Sequence, residues 1–366
     1  MYDNIYMLWL SSLVHQVGSR KLNSLLDTFG SAVAVFKAPI DELQQAMGAA
    51  HHGFDFISRH RNLKYIEEFI ENMQAKGVAY ISRENPRFST LLREIPDPPV
   101  GIFVIGTFPA DDTNKVAIIG SRKCSEYGLL TARVLAQPLA AAGIVIVSGM
   151  ARGVDSMAHR GALQGGGLTI AVLGCGVDIC YPAENKELRD LIIQNGCVIS
   201  EYGPGVRPTP AFFPARNRII SGLSCGIIVT EAGLKSGTLI TVDQAQEQGR
   251  EVLAVPGNIS SKLSQGTNQL IRDGAFPVSS HEDVLSILGI APAPVIENLP
   301  QNSKNSKTNL APDEKQVYDR LSLEPISFDK LADTLEIDIG RLHLVCTGLE
   351  LKGLAKKLPG ARYIRN

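Results

Sequence analysis

The sequence has almost no net charge and few of the features that mark special chemistry. Its 36 Lys and Arg stand against 37 Asp and Glu, a formal net charge of −1. That excludes a protein that coats nucleic acid with a wholly basic surface, and it leaves room for a local basic site. Six cysteines lie at 124, 175, 180, 197, 225 and 346, and no two share C-x-x-C spacing. Most sit in apolar, strand-like runs, so reduced buried thiols are expected, with no zinc site and no disulfide framework. There is no uninterrupted apolar run of ~18 residues, so no membrane-spanning helix is expected. The opening MYDNIYMLWLSSLVHQ carries Asp3 and no basic stretch, unlike a secretory signal. A cytoplasmic location is expected. A hydrophobic fraction of 44% with 20% charged residues also excludes disorder over the whole chain.

The 366 residues suggest two or three domains. Residues 1–85 read as a helical domain: LNSLLDTFG, DELQQAM and NLKYIEEFIENMQAKG place apolar residues at helical spacing, with Gly30 and Gly77 at C-terminal caps. Gly18, in VHQVGSRKLNSLL, stands in a tight turn between two helical patterns. That resembles a helix-hairpin-helix, whose turn can offer N–H groups to a phosphate, or else a hairpin kept for packing. The three prolines of IPDPPVGIFVIGTF prevent helix and lead into an extended run. Short apolar strands then alternate with helices. The strands are expected at Val116–Ile119, Ile144–Val147, Thr169–Leu173, Cys197–Ser200, Gly226–Val229 and Val252–Val255, and the helices at Tyr127–Ala142, Ser156–Gln164, Asn185–Asn195 and Thr238–Gln248. This is an α/β pattern, a parallel doubly wound Rossmann-like core over 86–292. A polar linker at 293–312 precedes a helix, a helix–turn–helix pair and a two-stranded wing around Pro359-Gly360, a winged-helix domain at 313–366.

Four sites suggest chemistry. After the first core strand, Gly120, Ser121 and Arg122 make a strand-to-helix turn with a hydroxyl and a forked donor, suited to phosphate. There is no G-x-G-x-x-G and no acid ~20 residues on, which disfavours a dinucleotide. In Ser148–His159, Asp155 is placed to cap a helix, and the lone His159 reads as structural. Between Glu201 and Glu231 the chain holds Arg207, Arg216 and Arg218 and no acid. With Phe212, Phe213 and Asn217 these are the ingredients of single-stranded nucleic acid binding, although one of the two phenylalanines reads equally well as core. Finally, Lys235, Ser236, Gly237 and Thr238 open a helix after a strand, a second place for N–H groups to meet an anion.

At these residues the chain resembles the DprA/Smf family of bacterial DNA-processing proteins. The resemblance rests on Gly120-Ser121-Arg122, Ser148–Asp155 with Ala158-His159, Gly174–Asp178 with Tyr181-Pro182, Ser200–Gly205, Phe213–Ile220, Lys235–Thr241 and Val255-Pro256-Gly257. It implies an N-terminal domain like a sterile alpha motif, an extended Rossmann-like core and a winged-helix end. It also implies single-stranded DNA as ligand in a basic pocket, a homodimer through the core, loading of the RecA recombinase in natural transformation, and help in displacing single-strand-binding protein. The family's arginines fall on Arg122, Arg216 and Arg218. No catalytic residue, metal or cofactor is implied. Where some relatives carry Lys after the Tyr-Pro pair, this chain has Ala183 and then Glu184, which leaves Arg207 or Lys235 to compensate.

Two other readings compete. Phosphoribohydrolases on a similar scaffold use Gly-Gly-x-Gly-Thr-x-Glu-Glu, but here Ile240 and Thr241 stand at the two acid positions, and Glu231 is the nearest carboxylate. A winged-helix regulator needs a helix that reads base edges. Residues 311–366 carry nine Lys and Arg against nine Asp and Glu, and Ile339–Leu351 offers only Arg341 and His343.

Overall fold

The continuous apolar runs become the strands of one sheet. The computed structural model describes residues 5–48, 51–291, 310–322, 325–335 and 337–365. It divides into two units, 1–293 and 294–366. The first unit carries nine strands: β1 (Ala79–Ser82), β2 (Gly101–Gly106), β3 (Lys115–Ile119), β4 (Val145–Ser148), β5 (Thr169–Leu173), β6 (Gly196–Ser200), β7 (Gly226–Val229), β8 (Glu251–Ala254) and β9 (Phe276–Pro277). Their order is β1-β2-β6-β5-β4-β3-β7-β8-β9. From β6 to β9 every neighbour is parallel, while β1 pairs antiparallel with β2 and β2 antiparallel with β6. All six expected strands are present within a residue at each end. The sheet also starts earlier than expected, because β1 lies before residue 86 and joins the same sheet.

Helices cover both faces: α8 (Thr90–Arg93), α9 (Glu126–Ala141), α10 (Val154–Gln164), α11 (Lys186–Gln194), α12 (Phe212–Gly222), α13 (Thr238–Glu247), α14 (Gln265–Arg272) and α15 (His281–Ile287). Two apolar clusters, one around Ile119, Val147 and Ile219 and one around Ile118, Ile146 and Leu135, fill the space on either side of the strands. That two-sided burial explains why the strands lack polar alternation. Strand order reverses at β3 and β7, which lie side by side with Ile119 opposite Val229. Open α/β sheets bind ligands beyond the C-terminal ends of strands at such a point.

The described residues of the N-terminal segment form helices α1 (Ile5–Ser12), α2 (Val14–Val17), α3 (Ser19–Phe29), α4 (Ala32–Lys37), α5 (Ile40–Met47), α6 (Phe54–Arg59) and α7 (Leu63–Ala75). Gly18 holds the expected turn between α2 and α3 with φ of +83°. The cluster around Trp9, Leu22 and Leu43 takes in Val100 and Tyr202 from the sheet unit, so these helices pack directly on it. None of the described helices is long and apolar enough to cross a membrane.

The second unit contains α16 (Pro312–Arg320), β10 (Ile326–Ser327), α17 (Phe328–Leu335), α18 (Ile339–Leu351), β11 (Ala355–Leu358) and β12 (Arg362–Arg365), with sheet order β10-β12-β11. This is a winged helix. Arg341 on α18 is paired to Asp313 at 2.7 Å, and His343 stacks on Phe328 at 4.2 Å. Both side chains offered for base edges are therefore engaged within the unit. Residues 293–309 of the expected linker lie outside the described residues.

Candidate nucleic-acid interface

A groove opens where the β3 and β7 turns meet α12 and α13. Its walls include Ser121, Arg122, Tyr181, Phe213, Asn217 and Gly237. Arg122 is exposed, and its guanidinium lies 5.3 Å from the centre of the Phe213 ring. Tyr181, 41% exposed, sets its ring 5.4 Å from that of Phe213. A cation and two accessible aromatic faces thus converge on one spot. Tyr181 belongs to a motif already noted in the sequence but carried no site role there. Phe213 is placed by α12, a helix that the sequence pattern had not revealed. Pro214 conceals it, yet this proline sits in the first turn, where its missing N–H does no harm.

Arg216, one turn along α12, forms the floor. It is 4% exposed and donates to the carbonyl of Gly149 at 2.8 Å and to that of Val172. A Cβ on residue 149 would lie 2.5 Å from its Nη1, so any larger residue there would displace the guanidinium. Its Nε donates to Asn217 Oδ1 at 3.1 Å, which orients that amide. Burial lowers the Arg216 pKa, and Arg122 adds to this, while Asp155 opposes it. Burial raises that of Asp155 against the pull of Arg216. Asp155 does not cap its own helix as expected. It accepts instead from the N–H groups of Gly149 at 3.2 Å and Ala151 at 3.4 Å, and so fixes the loop that cradles Arg216. His159 is fully buried, with Nδ1 2.7 Å from Thr169 Oγ1, a structural position.

Other expected contacts turn elsewhere. Arg218 corrects the reading of a second phosphate grip on this helix. It is 7% exposed, bonds Glu201 at 2.7 Å, and lies 3.3 Å from Asp97. Its charge is spent on two acids brought from distant segments. Burial works to lower its pKa, but Glu201 and Asp97 together hold it raised. Phe212 stacks on Tyr202 at 4.2 Å and packs against the helical layer, which makes it the structural member of the pair. Arg207 is exposed beside His15 and Asn72, away from the groove. Lys235 is exposed but does not line the groove, whereas Ser236, Gly237 and Thr238 do. The N–H groups of Ser236 and Thr238 are already bonded, to Gly233 O at 3.0 Å and Ser236 Oγ at 3.2 Å. Among the described residues, only the Gly237 N–H of the three is left open to an anion.

The acids on this edge are engaged too. Glu231 is 2% exposed, and its carboxylate caps α9 by accepting from the Ser125 N–H at 2.8 Å and hydroxyl at 2.6 Å. Glu184 is paired with Arg152, which lines a small recess beside Tyr181 and Phe213. Arg152 thus brings a cation to the Tyr181-Pro182 recess, where the sequence pointed to Arg207 or Lys235.

Residues 79–289 match the family model described as DNA recombination-mediator protein A. Residues 301–361 match the DprA winged helix domain. The chain belongs to the DprA/Smf family. Protein Smf of Synechocystis sp. is 32% identical to it over 98% of both chains. DNA processing protein DprA of Streptococcus pneumoniae is 48% identical over 60% of this chain and 80% of its own. The X-ray structure of that pneumococcal protein superposes with a TM-score of 0.67 at 36% identity, covering 78% of this chain and 98% of that one. The family member from Helicobacter pylori, whose structure is described for its unique single-stranded DNA binding mode, gives 0.53 at 34% identity over 58% of this chain and 97% of its own.

Proposed function

We propose that this protein binds single-stranded DNA in the groove between β3, β7 and α12, as a recombination mediator. The observation that carries this reading is the exposed Arg122 guanidinium over the Phe213 ring, with Tyr181 beside it and the buried Arg216 charge below. A cation next to open aromatic faces suits a phosphate followed by a stacked base, and it is indifferent to sequence because every base has a face. In the cell, such a protein acts in the cytoplasm as a homodimer through the Rossmann-like core. There it shields incoming single strands during natural transformation, loads RecA and helps displace single-strand-binding protein. A hydrolase reading lacks support, since Ile240 and Thr241 replace the acids and Glu231 is committed to Ser125. Incubation with nucleoside monophosphates should release no free base.

The test is oligo-dT affinity for wild type and Arg122→Ala. Loss of a charge-assisted contact of ~1.5–3 kcal/mol predicts roughly ten- to hundredfold weaker binding. The salt dependence should flatten by about 0.7 in log–log slope for the one phosphate lost. Equal affinities would overturn the assignment. RecA filament growth on protein-coated single strands should fail in parallel with the variant's DNA affinity.

A further inference from the structure

A second groove adjoins the first, and its charge is unbalanced. It is a cavity of about 760 Å³ on the helical layer, walled by Lys21, His51, His52, Phe212, Pro214 and Gln244. Its two acids, Asp97 and Glu201, are both held by Arg218. Arg20 approaches Asp97 only at 3.9 Å with a side chain 93% exposed. Lys21 is half-buried on the groove wall and has no hydrogen bond or ion pair among the described residues. His51 and His52 stack at 4.8 Å on the same wall, and Lys21 helps to lower the pKa of His51 after burial and His52. A half-buried Lys21 with no partner among the described residues, next to an Arg20 that reaches an acid only at 3.9 Å, signals a missing anion. Their placement is also costly for folding, since both fall in the first turn of α3, where the helix dipole disfavours positive charge. Natural sequences keep such local conflicts chiefly where function needs them.

The two grooves meet at a shared wall. Pro214 lines both. Along α13, Thr241 faces the first and Gln244 the second, three residues or about 4.5 Å apart along the axis. Gln244 is held there by donating to Pro214 O at 3.1 Å. We infer that the second groove carries the continuation of the single strand bound at Arg122 and Phe213, with Arg20 and Lys21 as phosphate contacts. This rests on the reading above and extends its footprint onto the helical layer.

Anisotropy titrations of dT6 and dT20 with wild type, Arg20→Ala/Lys21→Ala and Arg122→Ala test it. The double variant should bind dT20 about tenfold more weakly, keep dT6 within about twofold, and lose about 1.4 in salt slope on dT20 for two phosphates. Arg122→Ala should weaken both lengths. Unchanged dT20 affinity in the double variant overturns the extended track, as does an equal loss on both lengths. A loss confined to duplex DNA assigns the groove to another ligand and also overturns it. If Arg122→Ala leaves both lengths unaffected, the first groove fails, and the extended track fails with it. Lys21→Glu separates binding from folding: an acid suits the α3 terminus, so Tm should hold or rise while dT20 affinity falls.

Discussion

The two sides of α12 differ in what they do with arginine. Arg216 and Arg218 stand two residues apart, both nearly buried, and face opposite layers. Arg218 meets Glu201 and Asp97 and ties the helical layer to the sheet unit, where Ser19 also donates to Asp97 at 2.7 Å. Arg216 meets mainly carbonyls, and its nearest acid, Asp155, is engaged by two N–H groups. One side is a closed electrostatic joint. The other leaves positive charge under an open groove. An acid-free stretch of sequence is therefore not the same as a basic surface, because the fold can bring acids to it from elsewhere.

The largest effect should come from breaking the joint. Arg218→Ala strands the buried Glu201 carboxylate and takes from the half-buried Asp97 its nearer cation, and removal of one partner from a buried pair costs about 3–5 kcal/mol. Chemical denaturation should show that loss, and Arg218→Met/Glu201→Gln should recover much of it, since neither charge is then left unpaired. Folded Arg218→Ala should retain its dT6 affinity, because that short strand occupies only the first groove. A specific loss of binding at unchanged stability would erase the distinction between the two sides.

The phenylalanines sharpen the same contrast at lower amplitude. Phe213→Leu should cost about 1–3 kcal/mol of single-strand affinity, the usual range for one stacked base, with little change in Tm. Phe212→Leu should do the reverse, because its ring is stacked on Tyr202 and packed in the helical layer. Parallel anisotropy and thermal melts decide between them.

How legible each side was follows from the range of the contacts involved. The strands were readable because burial on both faces leaves unbroken apolar runs, as in Val116–Ile119 and Thr169–Leu173. The Gly120-Ser121-Arg122 turn was readable because a strand followed by glycine and a helix is a local event. The partners of Arg218 were not: Asp97 is 121 positions away and Glu201 is 17. Nor was the choice between Phe212 and Phe213, which depends on where a helix hidden behind Pro214 begins. The sheet's antiparallel edge was half visible, as an extended run after the prolines without its partner β1. At α13 the turn was found correctly, but two of its N–H groups proved to be spent on Gly233 and Ser236.

The smallest effect concerns charge beneath the open side. Thr169 Oγ1 donates to Ile146 O at 2.7 Å, so His159 must donate from Nδ1 to that oxygen, which leaves Nε2 bare and without a partner. Burial, reinforced by Arg216, lowers the His159 pKa to about 3. The unfolded chain binds this proton near pH 6.5 and the folded one does not, so stability is complete above ~6.5 and falls as pH drops toward 3. The slope is at most about 1.4 kcal/mol per pH unit. Asp155 acts in the opposite sense. Its folded pKa is raised, so its contribution is favourable at low pH and disappears as pH rises through that value. Comparing denaturation of wild type and His159→Gln from pH 7 to 4 isolates the histidine: the variant should start less stable and lose less on acidification. Parallel pH profiles would mean that His159 accepts its proton in the folded state, and that the Arg216 side carries less uncompensated charge than its contacts indicate.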